Sequence, residues 1–81
     1  MRYEITRRAF KQLGHIPQPQ RGRIYEAIKA MCAEWPQARN VKSLAGRGDM
    51  RLRVGDYRVL FTVAGDVIQV EEVKKRDERT Y

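Results

Sequence analysis

The stretch MRLRVGDYRV, residues 50–59, decides the fold of this chain. Its central Gly55-Asp56 fits a two-residue type II′ turn, which takes glycine at the first central position, and the flanking segments alternate as strands do. A hairpin closed by that turn sets Arg53 directly opposite Arg58. Like charges in such a position destabilise a sheet, so the hairpin needs a reason to carry these arginines.

Alternation along the hairpin divides its side chains between two faces. The apolar face consists of Met50, Leu52, Val54, Tyr57, Val59, Phe61 and Val63. The opposite face carries Arg51, Arg53 and Arg58. Because apolar sheet faces must be buried, we expect helices to cover the first face and to leave the arginines on an open face.

Upstream of the hairpin, the sequence predicts one short strand and two helices. Alternation in RYEIT predicts a strand over residues 2–5. Thr6 is a suitable N-cap for a short helix over residues 7–13. The clearest element is an amphipathic helix over residues 20–34, stopped before Pro36. Its apolar side chains recur at helical spacing: Ile24, Ile28, Met31, Cys32 and Trp35.

The segments on either side of the hairpin complete the pattern. The preceding loop is expected to hold a brief extended piece at residues 41–44. Downstream, Gly65-Asp66 predicts a second tight turn, and VIQVEEV predicts a last strand. The alternation of that strand breaks at Glu71-Glu72, which indicates a bulge or the end of the strand.

These elements predict an α+β fold in the order β-α-α-β-β-β, in a single domain spanning residues 1–81. The two helices are expected to pack on one face of a small antiparallel sheet. The chain has 81 residues, of which 42% are hydrophobic, enough for one small core. Cys32 is the only cysteine, which excludes an internal disulfide and a cysteine-cluster zinc site, and we expect it in the core.

The positive charge of the chain is concentrated in two segments. The net charge is +7 and the pI about 10.1. Residues 39–58 and 74–79 together hold ten basic and four acidic residues, a net +6. Such a surface suits a polyanionic partner. The N-terminal segment lacks the apolar stretch of a signal peptide and no run is long enough for a membrane span, so we expect a cytoplasmic protein with no membrane partner.

The arginines of the open face allow two interpretations. Guanidinium groups match the oxygens of a phosphate, so an anion bound between them would offset their repulsion. Alternatively, they are solvated sheet residues bridged to Glu71 or Glu72. His15 is the only histidine and no carboxylates cluster, so we expect no metal or cofactor. His15 follows the first helix, and we expect a surface or packing residue there rather than a general base.

The order of elements and the strings VKSLAGRGDMRLRVGDYRVLFTV and KKRDERTY resemble the RelE/ParE superfamily of bacterial toxins. The pattern K-x-L-x-G followed by R-x-R-x-G-D-Y-R-V leads into the central hairpin, and a basic tail with an aromatic residue follows the last strand. The resemblance covers nearly the whole chain. It implies a cognate antitoxin that wraps the toxin. RelE-like members are ribosome-associated endoribonucleases that cut messenger RNA, and ParE-like members poison DNA gyrase.

The resemblance also implies a catalytic set: Arg51, Arg53, Arg58, Arg76 and Tyr81. RelE has lysine at the first two positions, and arginine keeps its proton in proteins, so Arg51 and Arg53 are assigned to charge stabilisation. Tyr81 lies one residue closer to Arg76 than the corresponding aromatic in RelE, and it is either a base or a flexible terminal residue. Contacts to backbone phosphates are expected from Lys42, Arg47, Lys74 and Lys75.

The chemistry of RNA cleavage suits this set. Attack of a 2′-hydroxyl on its own phosphate builds negative charge, which pre-placed cations stabilise without a metal. Together with this chemistry, the resemblance to RelE implies a metal-independent endoribonuclease that cuts mRNA on the ribosome and inhibits translation. One alternative is a non-enzymatic DNA gyrase inhibitor of ParE type. Another is an inactive basic module that only binds RNA or its protein partner.

Overall fold

The computed structural model describes residues 1–44 and 48–75. Its elements follow in the order β1 (Arg2–Ile5), α1 (Arg7–Gly14), α2 (Gln20–Glu34), β2 (Val41–Ser43), β3 (Met50–Val54), β4 (Tyr57–Ala64) and β5 (Val67–Lys75). Within these residues the strands form one five-stranded sheet in the order β1-β5-β4-β3-β2. The predicted α+β class is confirmed, with β2 added from the extended piece expected at residues 41–44.

The sheet is mixed, whereas an antiparallel sheet was expected. β1 lies parallel to β5, with Arg2 paired to Val67 and Ile5 to Val70. The other neighbouring strands are antiparallel. A short turn forces the strands it joins to be antiparallel, but β1 and β5 are separated by most of the chain and no turn constrains them.

The β3–β4 hairpin has the predicted register. Arg53 pairs with Arg58, and the flanking pairs follow as expected. Gly55 has a φ of +55°, in the left-handed region that glycine adopts without steric penalty. The turn therefore depends on this glycine, and it fixes which side chains share a face across the two strands.

The helices cover one face of the sheet and form the core with it. In α1, the Thr6 hydroxyl accepts a hydrogen bond from the Ala9 amide at 3.2 Å, which confirms the predicted N-cap. The Trp35 ring meets Phe61 edge-on, with centroids 5.8 Å apart. Burial raises the pKa of the Cys32 thiol, as expected for a core cysteine. Neither helix is long and apolar enough to cross a membrane, as far as residues 1–44 and 48–75 are concerned.

A β-bulge in β5 changes which residues face the core. Leu60 pairs with Glu72, but the next residue, Phe61, pairs with Val70, so Glu71 is the extra residue. Of the two possibilities expected at Glu71-Glu72, a bulge or the end of the strand, the structure shows the bulge. Beyond it, Val73 is turned into the core, while the residues on either side of Val73 point to the open face.

Helix α1 replaces β1 as the neighbour of β5 where the bulge begins. The Thr6 amide donates to the Val70 carbonyl at 3.0 Å, and the Thr6 hydroxyl donates to the Glu71 carbonyl at 3.2 Å. Further along, the Val73 amide donates to Gln12 Oε1 at 2.7 Å. These bonds satisfy polar groups of the strand edge that β1 does not reach, and they hold α1 against the end of β5.

Candidate functional site

The open face of the sheet carries two rows of basic side chains. In the first row, Arg53 pairs with Arg58 and Arg58 pairs in turn with Lys74. In the second row, Lys42 pairs with Arg51. Neighbouring strands lie about 4.8 Å apart, so each row is compact. We call this set the cationic face: Lys42, Arg51, Arg53, Arg58 and Lys74.

The carboxylates near the three hairpin arginines have other partners. Glu72 lies 3.4 Å from Lys74 Nζ and 3.8 Å from an Arg8 guanidinium nitrogen. Glu71 accepts a hydrogen bond from the Thr62 hydroxyl at 3.3 Å. Neither glutamate therefore bridges to Arg58 as the alternative interpretation of the sequence expected. Over the described part of the chain, no ion pair is formed by Arg51, Arg53 or Arg58.

Partial burial strengthens the attraction of these cations for a bound anion. Arg53 is exposed, whereas Arg51, Arg58 and Lys74 are half-buried. A half-buried charge is screened less by solvent than an exposed one, so its attraction for a bound anion is larger. Arg58 has a basic side chain on each side, and its guanidinium can bind a phosphate bidentately. The row is thus suited to a phosphate that accumulates negative charge.

Other residues expected to contribute are placed elsewhere. Lys75 pairs with Tyr57 and therefore lies on the helix-covered face, at its open end. Arg47, Arg76 and Tyr81 lie outside the described residues. The structure thus brings together Lys42, Lys74 and the three hairpin arginines, and it leaves the expected roles of the tail untested.

The structure adds a cavity that sequence reasoning missed. It has a volume of about 370 Å³ and lies between the end of α1 and the end of β5. Residues lining it include Gln12, His15, Tyr57, Glu72, Lys74 and Lys75. His15 is exposed, as expected, but it shares this cavity with a member of the cationic face. Because α1 and β5 are distant in sequence, nothing local in the chain indicated this neighbourhood.

The site offers little to a metal ion. No group of three or more His, Cys, Asp or Glu side chains that could hold one occurs in residues 1–44 and 48–75. The cationic face consists of arginine and lysine side chains, whose charge repels a metal cation. What it can bind is an anion with several oxygens, such as a phosphodiester.

Comparison with known proteins identifies the family. A profile of the ParE toxin of type II toxin–antitoxin systems (parDE) matches residues 3–80. A search of curated proteins gave no significant match.

Solved structures share the fold. A chain of the RelB–RelE antitoxin–toxin complex from Methanococcus jannaschii is 28% identical, with a TM-score of 0.75, and the match covers 89% of this chain and 88% of that one. The archaeal RelE–RelB complex from Pyrococcus horikoshii OT3 gives 28% identity and a TM-score of 0.77, covering 96% and 97%. The isolated E. coli RelE toxin has a TM-score of 0.79 over 98% and 87%, but at 16% identity it shows the fold alone.

The profile match over nearly the whole chain, the shared fold and the hairpin motif agree with one another. This chain therefore belongs to the ParE toxin family, within the RelE/ParE superfamily of type II toxin–antitoxin toxins.

Proposed function

We propose that this toxin is a metal-independent endoribonuclease that cleaves messenger RNA on the ribosome and thereby inhibits translation. The observation that carries the proposal is the row formed by Arg53, Arg58 and Lys74. Arg53 and Arg58 directly face each other and form no ion pair within the described residues. A sheet gains no stability from this arrangement, so an anionic substrate is the better reason for it.

The chemistry follows from the charge. When the 2′-oxygen of RNA attacks the adjacent phosphorus, negative charge grows on the non-bridging phosphate oxygens. Cations already in place stabilise that charge without reorganising, and removing one such donor typically costs 2.7–4 kcal/mol. In this proposal Arg58 contacts those oxygens, with Arg51 and Arg53 beside it. Lys42 and Lys74 bind phosphates of the RNA backbone, which adds affinity without sequence preference, and Lys74, which pairs with Arg58, also reaches the scissile phosphate.

The test is a translating extract that contains a defined messenger. Purified protein is added, and cuts are mapped by primer extension, with naked RNA in parallel to measure the contribution of the ribosome. The proposal expects cuts within translated codons. An extract that stops translating while its messenger stays intact would contradict it.

The salt dependence of binding gives a second test. If the cationic face neutralises several phosphates, RNA affinity should fall steeply as salt rises, because bound counterions are released on binding. The measurement is the dissociation constant of a short single-stranded RNA between about 50 and 200 mM salt. A flat dependence would remove electrostatic docking as the basis of binding.

A gyrase inhibitor is the second candidate, and the match to a ParE profile favours it. This function needs no chemistry at the cationic face. A supercoiling assay with purified DNA gyrase, run beside the extract, separates the two candidates. Inhibited supercoiling with intact messenger would favour the ParE-like function, and inactivity in both assays would favour a basic module that only binds.

The partner of this toxin, in our proposal, is a cognate antitoxin encoded beside it. Two of the structural relatives were solved together with RelB antitoxins, at 28% identity to this chain. We expect acidic and apolar residues of the antitoxin to cover the basic surface. Co-expression with the neighbouring small reading frame should give a stable complex and abolish toxicity. A toxin unaffected by every adjacent product would contradict this.

A further inference from the structure

The cationic face lacks a group that can accept a proton. Its members are arginines and lysines, whose side chains offer hydrogen-bond donors and no acceptor. Cleavage by a 2′-hydroxyl requires a base for that hydroxyl and an acid for the leaving oxygen. These two transfers, which rest on the proposed endoribonuclease function, therefore need side chains outside the cationic face; Tyr81, the candidate base of the tail, lies outside the described residues.

We propose that Glu72 and His15 form the proton-transfer pair of the cleavage reaction, with Glu72 as the general base and His15 as the general acid. Both line the cavity of about 370 Å³ between α1 and β5. Carboxylate and imidazole are the side chains that most often fill these roles near neutral pH. Neither residue lies in the hairpin motif that contains the three arginines.

The position of Glu72 supports the role of base. Its carboxylate lies 3.4 Å from Lys74 Nζ, and Lys74 pairs with Arg58. A phosphate oxygen bound to that Nζ at about 2.8 Å is therefore within about 6 Å of the carboxylate. The attacking 2′-oxygen sits about 3 Å from the phosphorus, so it can lie between the two groups. The side chain is 21% exposed, which leaves it accessible to RNA.

His15 lines the same cavity as Glu72. It follows Gly14 at the C-terminal end of α1, where its amide donates to the Gln12 carbonyl at 3.1 Å. Gln12 in turn accepts from Val73, the residue between Glu72 and Lys74. This link holds the end of α1 beside the strand that carries the base.

Cleavage moves two protons, one from the 2′-hydroxyl and one to the leaving oxygen. Glu72 takes the proton of the 2′-hydroxyl while the 2′-oxygen forms a bond to phosphorus. The bond from phosphorus to the 5′-oxygen breaks, its electron pair goes to that oxygen, and protonated His15 supplies the proton. The products are a 2′,3′-cyclic phosphate and a 5′-hydroxyl. Arg58 stabilises the charge on the non-bridging oxygens throughout.

The first experiment compares Glu72→Gln with Arg8→Gln in the full chain, using messenger cleavage in the translating extract. Both variants break the ion pair between Arg8 and Glu72, but only the first removes the carboxylate. We expect Glu72→Gln to cut about 10²–10⁴ times more slowly. Arg8→Gln keeps the carboxylate and should lose much less of its cleavage rate. Thermal melting of each variant verifies that it is folded.

The second experiment tests His15 with a leaving group that needs no proton. An RNA with sulfur in place of the scissile 5′-oxygen releases a thiolate, which leaves without protonation. We expect His15→Gln to cut normal RNA about 10²–10⁴ times more slowly and to cut the sulfur substrate at the wild-type rate. Lys11→Gln, one helical turn earlier on α1, is the control and should cut both substrates normally.

The possible outcomes distinguish a failure of the acid–base assignment from a failure of the proposed endoribonuclease function. A wild-type protein that cuts no messenger overturns both. Cleavage by Glu72→Gln at the wild-type rate overturns the base, and so does an equal loss in Arg8→Gln, since Glu72 would then only hold α1 in place. A His15→Gln variant that the sulfur substrate does not rescue overturns the acid.

Discussion

The two faces of the sheet differ in burial and charge, although the same strands form both. The face under the helices is almost fully buried, with no more than 4% exposure at Leu52, Val59, Phe61, Ile68, Val70 and Val73. The open face places arginine beside arginine and lysine beside arginine. Adjacent residues in one strand therefore belong in turn to the core and to the open face, because successive side chains point to opposite sides of the sheet.

The free energies involved explain why the fold tolerates like charges on its open face. Burying a large apolar side chain contributes about 1.5–3 kcal/mol, whereas a cross-strand pair on the surface changes stability by about 0.2–1 kcal/mol. A few unfavourable pairs on the open face are thus small beside the contribution of the core. Function can occupy one face as long as packing on the other face is intact.

The largest effect should come from breaking the covered face. Phe61→Ala removes a fully buried ring that meets Trp35 edge-on, and we expect the free energy of unfolding to fall by about 3–5 kcal/mol. Urea denaturation followed by tryptophan fluorescence measures it. Val63→Ala, on the same strand but only partly buried, is the control and should lose less. An equal loss in both variants would mean that the core is not centred on Phe61.

Breaking the open face should affect cleavage instead. Arg58→Gln should lower the rate of messenger cleavage about 10²–10³-fold, the scale for one donor to the transition state, which is about 2.7–4 kcal/mol. Lys29→Gln removes a positive charge from the outer surface of α2 and should leave the rate unchanged. If Arg58→Gln cleaves normally, the active site lies elsewhere.

A smaller effect tests the contact between the start of α1 and the bulge in β5, beyond which the residues of β5 exchange faces. Thr6 caps α1 and also donates its hydroxyl to the Glu71 carbonyl in the bulge. Thr6→Ala should therefore lower the free energy of unfolding by about 0.5–2 kcal/mol, as the loss of an N-cap does. Thr62→Ala, which removes only the hydrogen bond to the Glu71 carboxylate, is the matched control and should lose less. Unchanged melting of Thr6→Ala would show that neither hydrogen bond contributes.

The smallest effect has the opposite sign. Because Arg58 lies between Arg53 and Lys74, Arg58→Gln should be as stable as the wild type or more stable by up to about 1 kcal/mol. Arg39→Gln removes a charge from an exposed loop residue and corrects for the change in net charge. Melting is measured on the preparation used for cleavage. A markedly lower melting temperature for Arg58→Gln would mean that this arginine holds the sheet together.

Local patterns predicted most of the fold. The N-cap at Thr6, the helix over residues 20–34, the hairpin register and the bulge near Glu71 are confirmed. Each depends on residues close together in the chain, where capping, periodicity and turn chemistry act. The parallel pairing of β1 with β5 was missed because it joins segments more than 60 residues apart, for which no local pattern exists.

The candidate site, too, could be predicted only where local sequence patterns determine it. Alternation alone placed Arg51, Arg53 and Arg58 on one face, and the register agrees. The partners of Glu72 could not be predicted, because they depend on how α1 meets β5 in space. His15 was expected to be a surface residue and is exposed, yet its cavity is formed by side chains from three elements. Such neighbourhoods are set by packing rather than by sequence spacing.

The bulge at Glu71 has a consequence for aligning this chain with its relatives. One extra residue inverts the phase of β5, so inward and outward positions exchange on passing it. An ungapped alignment to a relative without the extra residue would match Val73 to a surface position and Lys74 to a core position. Functional residues transferred across that point by counting would be assigned to the wrong side of the sheet. Position 71 is therefore where a gap must be considered first.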